Sequence, residues 1–578
     1  MPAELLVSRI SVRSFRCLKT VDIALEAGTT VLVGENNAGK SSILLALATA
    51  LGRRRSSTDD LFRSANGSVA DTATIDVFIS PIAEKQSFSD DVAQRLIGGQ
   101  REPDSNRDIV GIRTVLKKSN EGSFLNERRT FLQPVNGEWI ESPAPQFQSR
   151  VLELIDAHVL DASRDLLTEM GAQTSAWGRV LSDLKIPNLP DLEADILDPA
   201  GLRAIERDLV LIAERVRKAS PVLSQLHADL GGMANTQATV ESVELVPLPQ
   251  RIEELGRAME IILHQKNAAG LPLRFHGSGS RSLAALLVFK TMCVLKIGVD
   301  HGIRPHLLTL LEEPEAHLHP QAITALVKTI ESLPGQRVVT THSATLVAEM
   351  PPTAVRLLRR TSSGIAINCL TDAEPKTMEH FRRFFGRPFG EVIFARLAVL
   401  GDGVTERNVL PILVRMALNA DPAALGIAFV DCQSMANYEN VNKVLGALHS
   451  LGISWLYFAD NDKEGLKALA AAKDPLTGAA LHLDHPSVAT LKDTKQTEKL
   501  LVDAGYGDEI TQVALEHGVT AADDGKRVHF LASNKAWAPE QVALRAEEAG
   551  KPAPPQLNDL VAKIRVSLGL SVPTTTAH

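Results

Sequence analysis

Over residues 8–34 apolar and polar positions alternate in short runs (SRISVRSF, KTVDIAL, TTVLVG), the period-two pattern of strands parted by tight turns. At SSILLALATALG the spacing lengthens to that of a helix built from strong helix formers. Strand, glycine loop and helix in direct succession predict a nucleotide-binding α/β domain. Strand-like runs recur at Thr74–Ile79, Ile109–Leu116 and His158–Leu160. From about Ser163 to Met233 the pattern is amphipathic helix (RDLLTEM, WGRVLSDL, LRAIERDLVLIAERVRKA), interrupted at Pro187, Pro190 and Pro199–Gly201. At about 70 residues this block is too short for the long coiled-coil arm of chromosome-condensing ATPases. It predicts a helical insert that makes dimer contacts, with an ordinary helical subdomain as the plainer reading.

Strand-like patterning resumes at Val240–Val246 and runs on through Leu307–Glu313 and Arg337–Thr341. A second α/β series begins near Val392, with strands at Leu397–Leu400, Gly426–Val430 and Trp455–Ala459, each followed by a helix. The tail from 551 opens with KPAPP and holds one more helical segment, LNDLVAKIRVSLG, before polar residues that fray. No internal repeat is evident.

The 578 residues are enough for three or four structural units, and 44% hydrophobic residues exclude a disordered or fibrous chain. A net charge of −8 excludes a globally basic nucleic-acid binder but leaves room for a local basic groove. Arg53, Arg54 and Arg55, and Arg356, Arg359 and Arg360, form basic runs that read as DNA-phosphate contacts or as a solvated face, the second being the commoner case. Cys17, Cys293, Cys369 and Cys432 are too far apart for a zinc pattern or a disulfide framework. The start, MPAELLVSRISVRSF, lacks signal architecture, and apolar runs such as Leu283–Phe289 are too short to span a bilayer. The expectation is a cytoplasmic protein with no membrane partner.

Gly34-Glu35-Asn36-Asn37-Ala38-Gly39-Lys40-Ser41 has the form GxxxxGKS between a strand and a helix. Its glycines let backbone N–H groups turn toward phosphate oxygens; Lys40 supplies charge to the β- and γ-phosphates and Ser41 a hydroxyl for Mg²⁺. Asn36, Gly39 and Ser42 complete the expected ATP contacts. LLTLLEE, at Leu307–Glu313, reads as a buried strand ending in two carboxylates. Glu312 takes the metal-side position and Glu313 that of the general base, while His342, after the next strand, could contact the γ-phosphate. His276-Gly277-Ser278-Gly279-Ser280-Arg281-Ser282-Leu283 opens a helix with small residues. With the other motifs, and in this order, it resembles the signature loop of ABC-type ATPases. Such a loop, here Gly279, caps the ATP of a second protomer, so the resemblance implies a homodimer or higher even oligomer.

A second constellation lies in LAVLGDGVTERNVL and WLYFADNDKEG. Asp402 in a glycine turn and Glu406 four residues later can face one point, and Asp460 and Asp462 leave the same side of an extended segment. Four carboxylates at two strand ends make a site for Mg²⁺ or Mn²⁺, whereas solvated strand-end turns would use the same residue types.

The first set of motifs resembles the ATPases of the RecF, recombination-repair and OLD group, whose N-terminal strand IxVRSFRCL also resembles and which implies Arg16 near the nucleotide. The second resembles the Toprim fold, with Asp402 where the pattern has glutamate; Glu312 likewise stands where Walker-type ATPases carry aspartate. ATPase followed by Toprim is the arrangement of OLD-family endonucleases, the class that includes the nuclease subunit of Gabija anti-phage systems. The resemblance implies an α/β chain with an ABC-type ATPase at 1–162 and 237–390, a helical insert at 163–236, and a Toprim nuclease domain at 391–578. It further implies ATP-controlled, metal-dependent DNA cleavage, with Asp402, Glu406, Asp460, Asp462 and the downstream Glu498 as ligands and Lys535 stabilising transition-state charge. Glu498 and Lys535 read nearly as well as solvated surface residues. The family also implies a UvrD-like helicase partner. Rival readings are a RecF-like DNA clamp with a decayed Toprim domain and, more weakly, a topoisomerase. The latter's attacking tyrosine would have to be Tyr438, Tyr457 or Tyr506.

Overall fold

The computed structural model describes residues 4–64, 66–82, 85–96, 100–101, 107–119, 125–143, 145–161, 211–212, 214–215, 218–231, 240–247, 259–265, 270–299, 305–316, 318–361, 364–370, 392–401, 403–432, 438–461, 463–491 and 496–570. It forms two compact units, residues 1–367 and 368–578. Of the helical block expected at 163–236, the helix Pro221–Gly231 is described in full; most of the rest lies outside the described residues.

The first unit pairs two sheets. Strands β1 (Leu5–Phe15), β2 (Leu18–Ala24), β4 (Thr72–Pro81), β6 (Asp108–Lys118), β7 (Leu125–Val135) and β8 (Glu138–Glu141) form an antiparallel sheet in the order β2-β1-β4-β6-β7-β8, and the short β5 (Gln100–Arg101) pairs with β6. The second sheet has the order β16-β15-β3-β14-β13-β9, from β3 (Thr29–Gly34), β9 (Ile155–Asp161), β13 (His306–Glu312), β14 (Gln336–Thr341), β15 (Val355–Thr361) and β16 (Gly364–Cys369). β9, β13, β14, β3 and β15 run parallel. Burial on both faces explains why TTVLVG and LLTLL are continuous apolar runs. The helix Lys40–Ala50 leaves β3 and buries Ile43, Leu44 and Leu47 in a core shared with both sheets. A third, small sheet joins β10 (Val240–Pro247), β11 (Met259–Gln265) and β12 (Leu271–Pro272), ahead of the helix Ser278–Val299.

One buried side chain ties the two sheets together. β1 carries a bulge between Val7 and Arg9. The Gln336 amide, at the start of β14, accepts from Val7 N at 3.0 Å and donates to Val7 O and Glu26 O at 2.7 Å. His306, at the start of β13, lies 3.3 Å from the same amide oxygen.

In the second unit β17 (Leu397–Gly401), β18 (Ile427–Asp431), β19 (Ser454–Ala459) and β20 (Val488–Thr490) form a parallel sheet in the order β18-β17-β19-β20. The helices Val404–Leu418, Thr497–Asp503, Gly507–Glu516, Asp524–Ser533, Ala538–Glu548 and Asn558–Leu568 share one apolar core with it.

Desolvation pushes His306 down to about 4, against the raising hydrogen bond to Gln336. The folded chain therefore holds this ring neutral while the unfolded chain takes up a proton below its ordinary value near 6.5. The contribution is whole above pH 6.5 and is lost as pH falls through about 4. His306→Gln should lose roughly 2–3 kcal/mol less stability than wild type between pH 7 and pH 4, read from urea midpoints at each pH.

Candidate functional site

The phosphate loop runs from the end of β3 into the helix Lys40–Ala50, with Gly39 left-handed at φ 96° and Asn37 at φ 61°. The turn of Arg16, Cys17 and Leu18 packs on it: Cys17 Sγ lies 3.3 Å from Ser42 Oγ, and a Cβ on Gly39 would meet Leu18 Cδ2 at 2.5 Å. Arg16 adopts φ 52° and its backbone amide is held by Asp60 O at 2.8 Å. Lys40 is buried; its ammonium donates to Gly34 O at 2.9 Å and Glu35 O at 3.1 Å and reaches His342 Nε2 at 2.7 Å. That last contact requires the His342 tautomer with its proton on Nδ1. Desolvation lowers Lys40 to about 8, although Glu313, Glu315 and Glu312 all favour its charge. His342 is lowered by desolvation and then by Lys40, with Glu313, 3.3 Å away, acting against them.

Parallel pairing explains this convergence: Glu312 of β13 lies in register with Thr340 of β14, and β14 in turn borders β3. Glu313 has left the strand at φ 44°, its N–H held by Thr340 O at 3.1 Å. Thus β3, β13 and β14 bring Lys40, Glu312, Glu313 and His342 to one end of one sheet. Ser41 and Ser42 occupy the first helical turn and Asn36 is exposed on the loop. Gly279 sits in the first turn of the helix Ser278–Val299, and no hydrogen bond or ion pair among the described residues joins it to the phosphate loop.

In the ATPase site one further residue was not expected from the sequence. Glu315 accepts from Thr341 Oγ1 and from His342 N at 3.2 Å, while its Oε2 is buried without a partner. Desolvation raises its carboxyl despite those bonds. Its place in the run EEPEAHLHP gave no warning, because only the fold lays it under the His342 backbone.

In the second unit Glu406 lies in the first turn of the helix Val404–Leu418 and returns Oε2 to Gly403 N at 3.0 Å. Glu498 lies in the first turn of Thr497–Asp503; its Oε1 accepts from Thr405 Oγ1 at 3.1 Å and pairs with Lys535 Nζ at 3.3 Å. Glu406 and Glu498 are 5% and 4% exposed, which is rare for carboxylates without compensating charge. Desolvation pulls Lys535 down, but Glu498, then Glu406 and Asp460, outweigh it and raise it overall. Glu498, Glu406 and Asp460 therefore each sit within electrostatic reach of Lys535. Asp402 and Asp462 lie outside the described residues, and among the described residues no three His, Cys, Asp or Glu side chains are grouped closely enough to hold a metal.

The donors present are carboxylate oxygens, the ligand type that suits Mg²⁺ or Mn²⁺, but the described carboxylates do not by themselves form a metal site. Three arginines of the basic runs make contacts within their own unit. Arg53 holds Ile155 O at 3.0 Å, Arg54 pairs with buried Asp60 at 2.6 Å, and Arg356, 4% exposed, binds Ala24 O at 3.0 Å and Glu26. Arg356 is buried and Arg54 half-buried against Asp60, whereas Arg53 stays 38% exposed, as a solvated face would have it.

Fold and sites together define an ATPase unit followed by a Toprim unit. Residues 6–93 match the AAA ATPase domain family and residues 393–462 the TOPRIM domain of overcoming-lysogenization-defect-like proteins, while 273–385 match a family described as a protein of unknown function, DUF2813. The chain is 24% identical to the OLD nuclease of Thermus scotoductus (79% of this chain, 82% of that one) and 20% identical to the Old nuclease of Escherichia phage P2 (82% and 80%). It is 30% identical to the uncharacterized Escherichia coli protein YbjD over 34% of this chain, spanning 36% of that relative's length. Among solved structures, the SmcHead bound to the C-winged helix domain of ScpA aligns with TM-score 0.39 at 18% identity, over 64% of this chain and 99% of that one. The SMC head domain from Thermotoga maritima aligns with TM-score 0.33 at 12%, over 63% and 99%. The domain matches and the two relatives aligned over about four-fifths of the chain make it similar to OLD-family ATPase–Toprim proteins. Among the described residues no helix is long and apolar enough to cross a membrane.

Two glycines let helices close on the Toprim strand ends. A Cβ on Gly401 would lie 2.6 Å from Glu406 Cβ, and one on Gly465 would collide with Asp460 O. Gly401→Ala should destabilise the unit by roughly 1–3 kcal/mol and displace Glu406. Thermal unfolding of the variant checks the first effect, and its loss of any metal-dependent activity of this unit the second.

Proposed function

We propose that this chain is a divalent-metal-dependent DNA endonuclease whose cutting centre lies in the Toprim domain, 391–578, and whose ATPase domain controls it through ATP. The observation that carries this reading is the pairing of Lys535 with buried Glu498, with Glu406 and Asp460 near enough to add to its field: one cation among carboxylates drawn from separate elements. The relatives named as OLD nucleases support the same reading. Mg²⁺ or Mn²⁺ held by Asp402, Glu406, Asp460, Asp462 and Glu498 would supply an activated water and neutralise charge on the scissile phosphate. Lys535, 60% exposed, can leave Glu498 in part and direct its ammonium at the negative charge that builds on the non-bridging oxygens of the scissile phosphate. Thr405 and Gly403 N–H keep Glu498 and Glu406 oriented while this happens.

In the ATPase domain, bound ATP would bring phosphate oxygens to Lys40 and Mg²⁺ to Ser41 and Glu312. Lys40 would then exchange its His342 contact for the β- and γ-phosphates, leaving His342 free for the γ-phosphate and Glu313 to accept a proton from water. Arg16, Asn36, Gly39 and Ser42 complete that pocket, and Gly279 caps the nucleotide of a second protomer in a homodimer or higher even oligomer. DNA is the substrate, anti-phage defence or repair the setting, and a UvrD-like helicase the partner in a cytoplasmic assembly.

Cleavage of plasmid and linear DNA with Mg²⁺ or Mn²⁺, with and without ATP, tests this. Glu406→Ala should lower the cleavage rate by at least about a hundredfold, and Lys40→Ala should abolish any response to ATP. Wild-type cleavage by Glu406→Ala would reject the assignment of the cutting centre. Absence of cleavage by wild type, alone and with the helicase, would favour the RecF-like clamp.

A further inference from the structure

We infer that Asn408 is a positioning residue for Lys535: its side-chain amide ties the turn that bears Lys535 to the helix that bears Glu406. The inference rests on the reading of Lys535 as part of the cutting centre.

Lys535 and Ala536 lie in the short connection between the helices Asp524–Ser533 and Ala538–Glu548. The bonds of that connection close it upon itself: Asn534 N to Leu531 O at 3.1 Å, Trp537 N to Asn534 O at 3.2 Å, and Asn534 Nδ2 to Phe530 O at 2.9 Å. They shape the turn without fixing it against the carboxylates. Asn408 Nδ2 donates to Ala536 O at 3.0 Å, from the residue two places after Glu406 on Val404–Leu418. A lysine stem is long and rotamer-rich, so the ammonium can be aimed only if its backbone is held. The helices Val404–Leu418 and Ala538–Glu548 pack in one apolar core, and this amide adds the polar tie that holds the Lys535 turn to the Glu406 helix. Thr405, one turn earlier on the same helix, holds Glu498, so that a single helix start organises Glu406, Glu498 and Lys535.

The sequence offered no hint, since an Asn between Arg407 and Val409 on a helix reads as a surface residue. Two variants remove the donor while sparing the fold: Asn408→Leu keeps the branched outline and favours helix, and Asn408→Asp keeps shape while putting a carboxylate against Ala536 O. Both should lower kcat for DNA cleavage about tenfold with KM for DNA changed less than about twofold. In protein without metal, both should raise acetylation of Lys535 by N-hydroxysuccinimide acetate several-fold relative to Lys526 and Lys551, read by peptide mass spectrometry. A merely structural role would lower thermal stability and raise labelling at all three lysines together.

An unchanged Lys535 labelling ratio in both variants would overturn the tie, and an increased ratio with wild-type kcat would overturn its role in positioning Lys535 for cleavage. Lys535→Ala separates the two levels of the argument. Wild-type cleavage by that variant would remove Lys535 from the cutting centre and the positioning role with it, while the labelling ratio reports independently on the tie.

Discussion

Charge taken out of water has to be met by opposite charge or by hydrogen bonds, and both units of this chain are built round that requirement. Lys40 is buried at the phosphate loop, where two loop carbonyls and His342 stand in for water and three glutamates supply the field. In the Toprim unit the signs are reversed: Glu406 and Glu498 are buried and Lys535 answers them. An isolated buried charge of either kind would cost several kcal/mol. Each site is therefore stable only as a set, which is why the residues around the two charges are so specifically tethered.

The tethers come from the same architectural device used twice. Parallel strands end together, so β3, β13 and β14 deliver their last residues to one edge, as β17 and β19 do in the other unit. Helices that start directly after those strands place side chains and N–H groups over that edge. Glu406 closes on Gly403 N, and Thr405 on Glu498, within the first turn of a single helix. On the ATPase side Glu315 plays a similar part, binding the backbone at His342 and the hydroxyl of Thr341 at once.

Elements with a strong local signature were legible. The phosphate loop, the buried strand before Glu312, and the strands before Asp402 and Asp460 each show a run length and a turn chemistry that depend on near neighbours only. Glu498 and Lys535 read almost equally well as surface residues, because nothing local to TEKLL or ASNKAW distinguishes a charge facing solvent from one facing another charge. Glu315, Thr405 and Asn408 were illegible for the same reason: their partners arise from helix starts and turns that meet only in the fold. The basic runs misled in the opposite sense. Arg53, Arg54 and Arg356 read more readily as a solvated face than as phosphate contacts, but Arg54 and Arg356 are tied to a carboxylate and a carbonyl of their own unit, while Arg53 stays 38% exposed.

What the sequence determined by itself was the order of strands and helices, the phosphate loop, and the class of chemistry its carboxylates can support, because periodicity and motif are properties of contiguous residues. What the tertiary structure alone decided was which charges face one another. Lys535 meets Glu498, and Lys40 meets His342 across 302 residues of chain, only because parallel pairing and helix packing fold distant segments to the same end of a sheet. There low dielectric makes each of these pairings count.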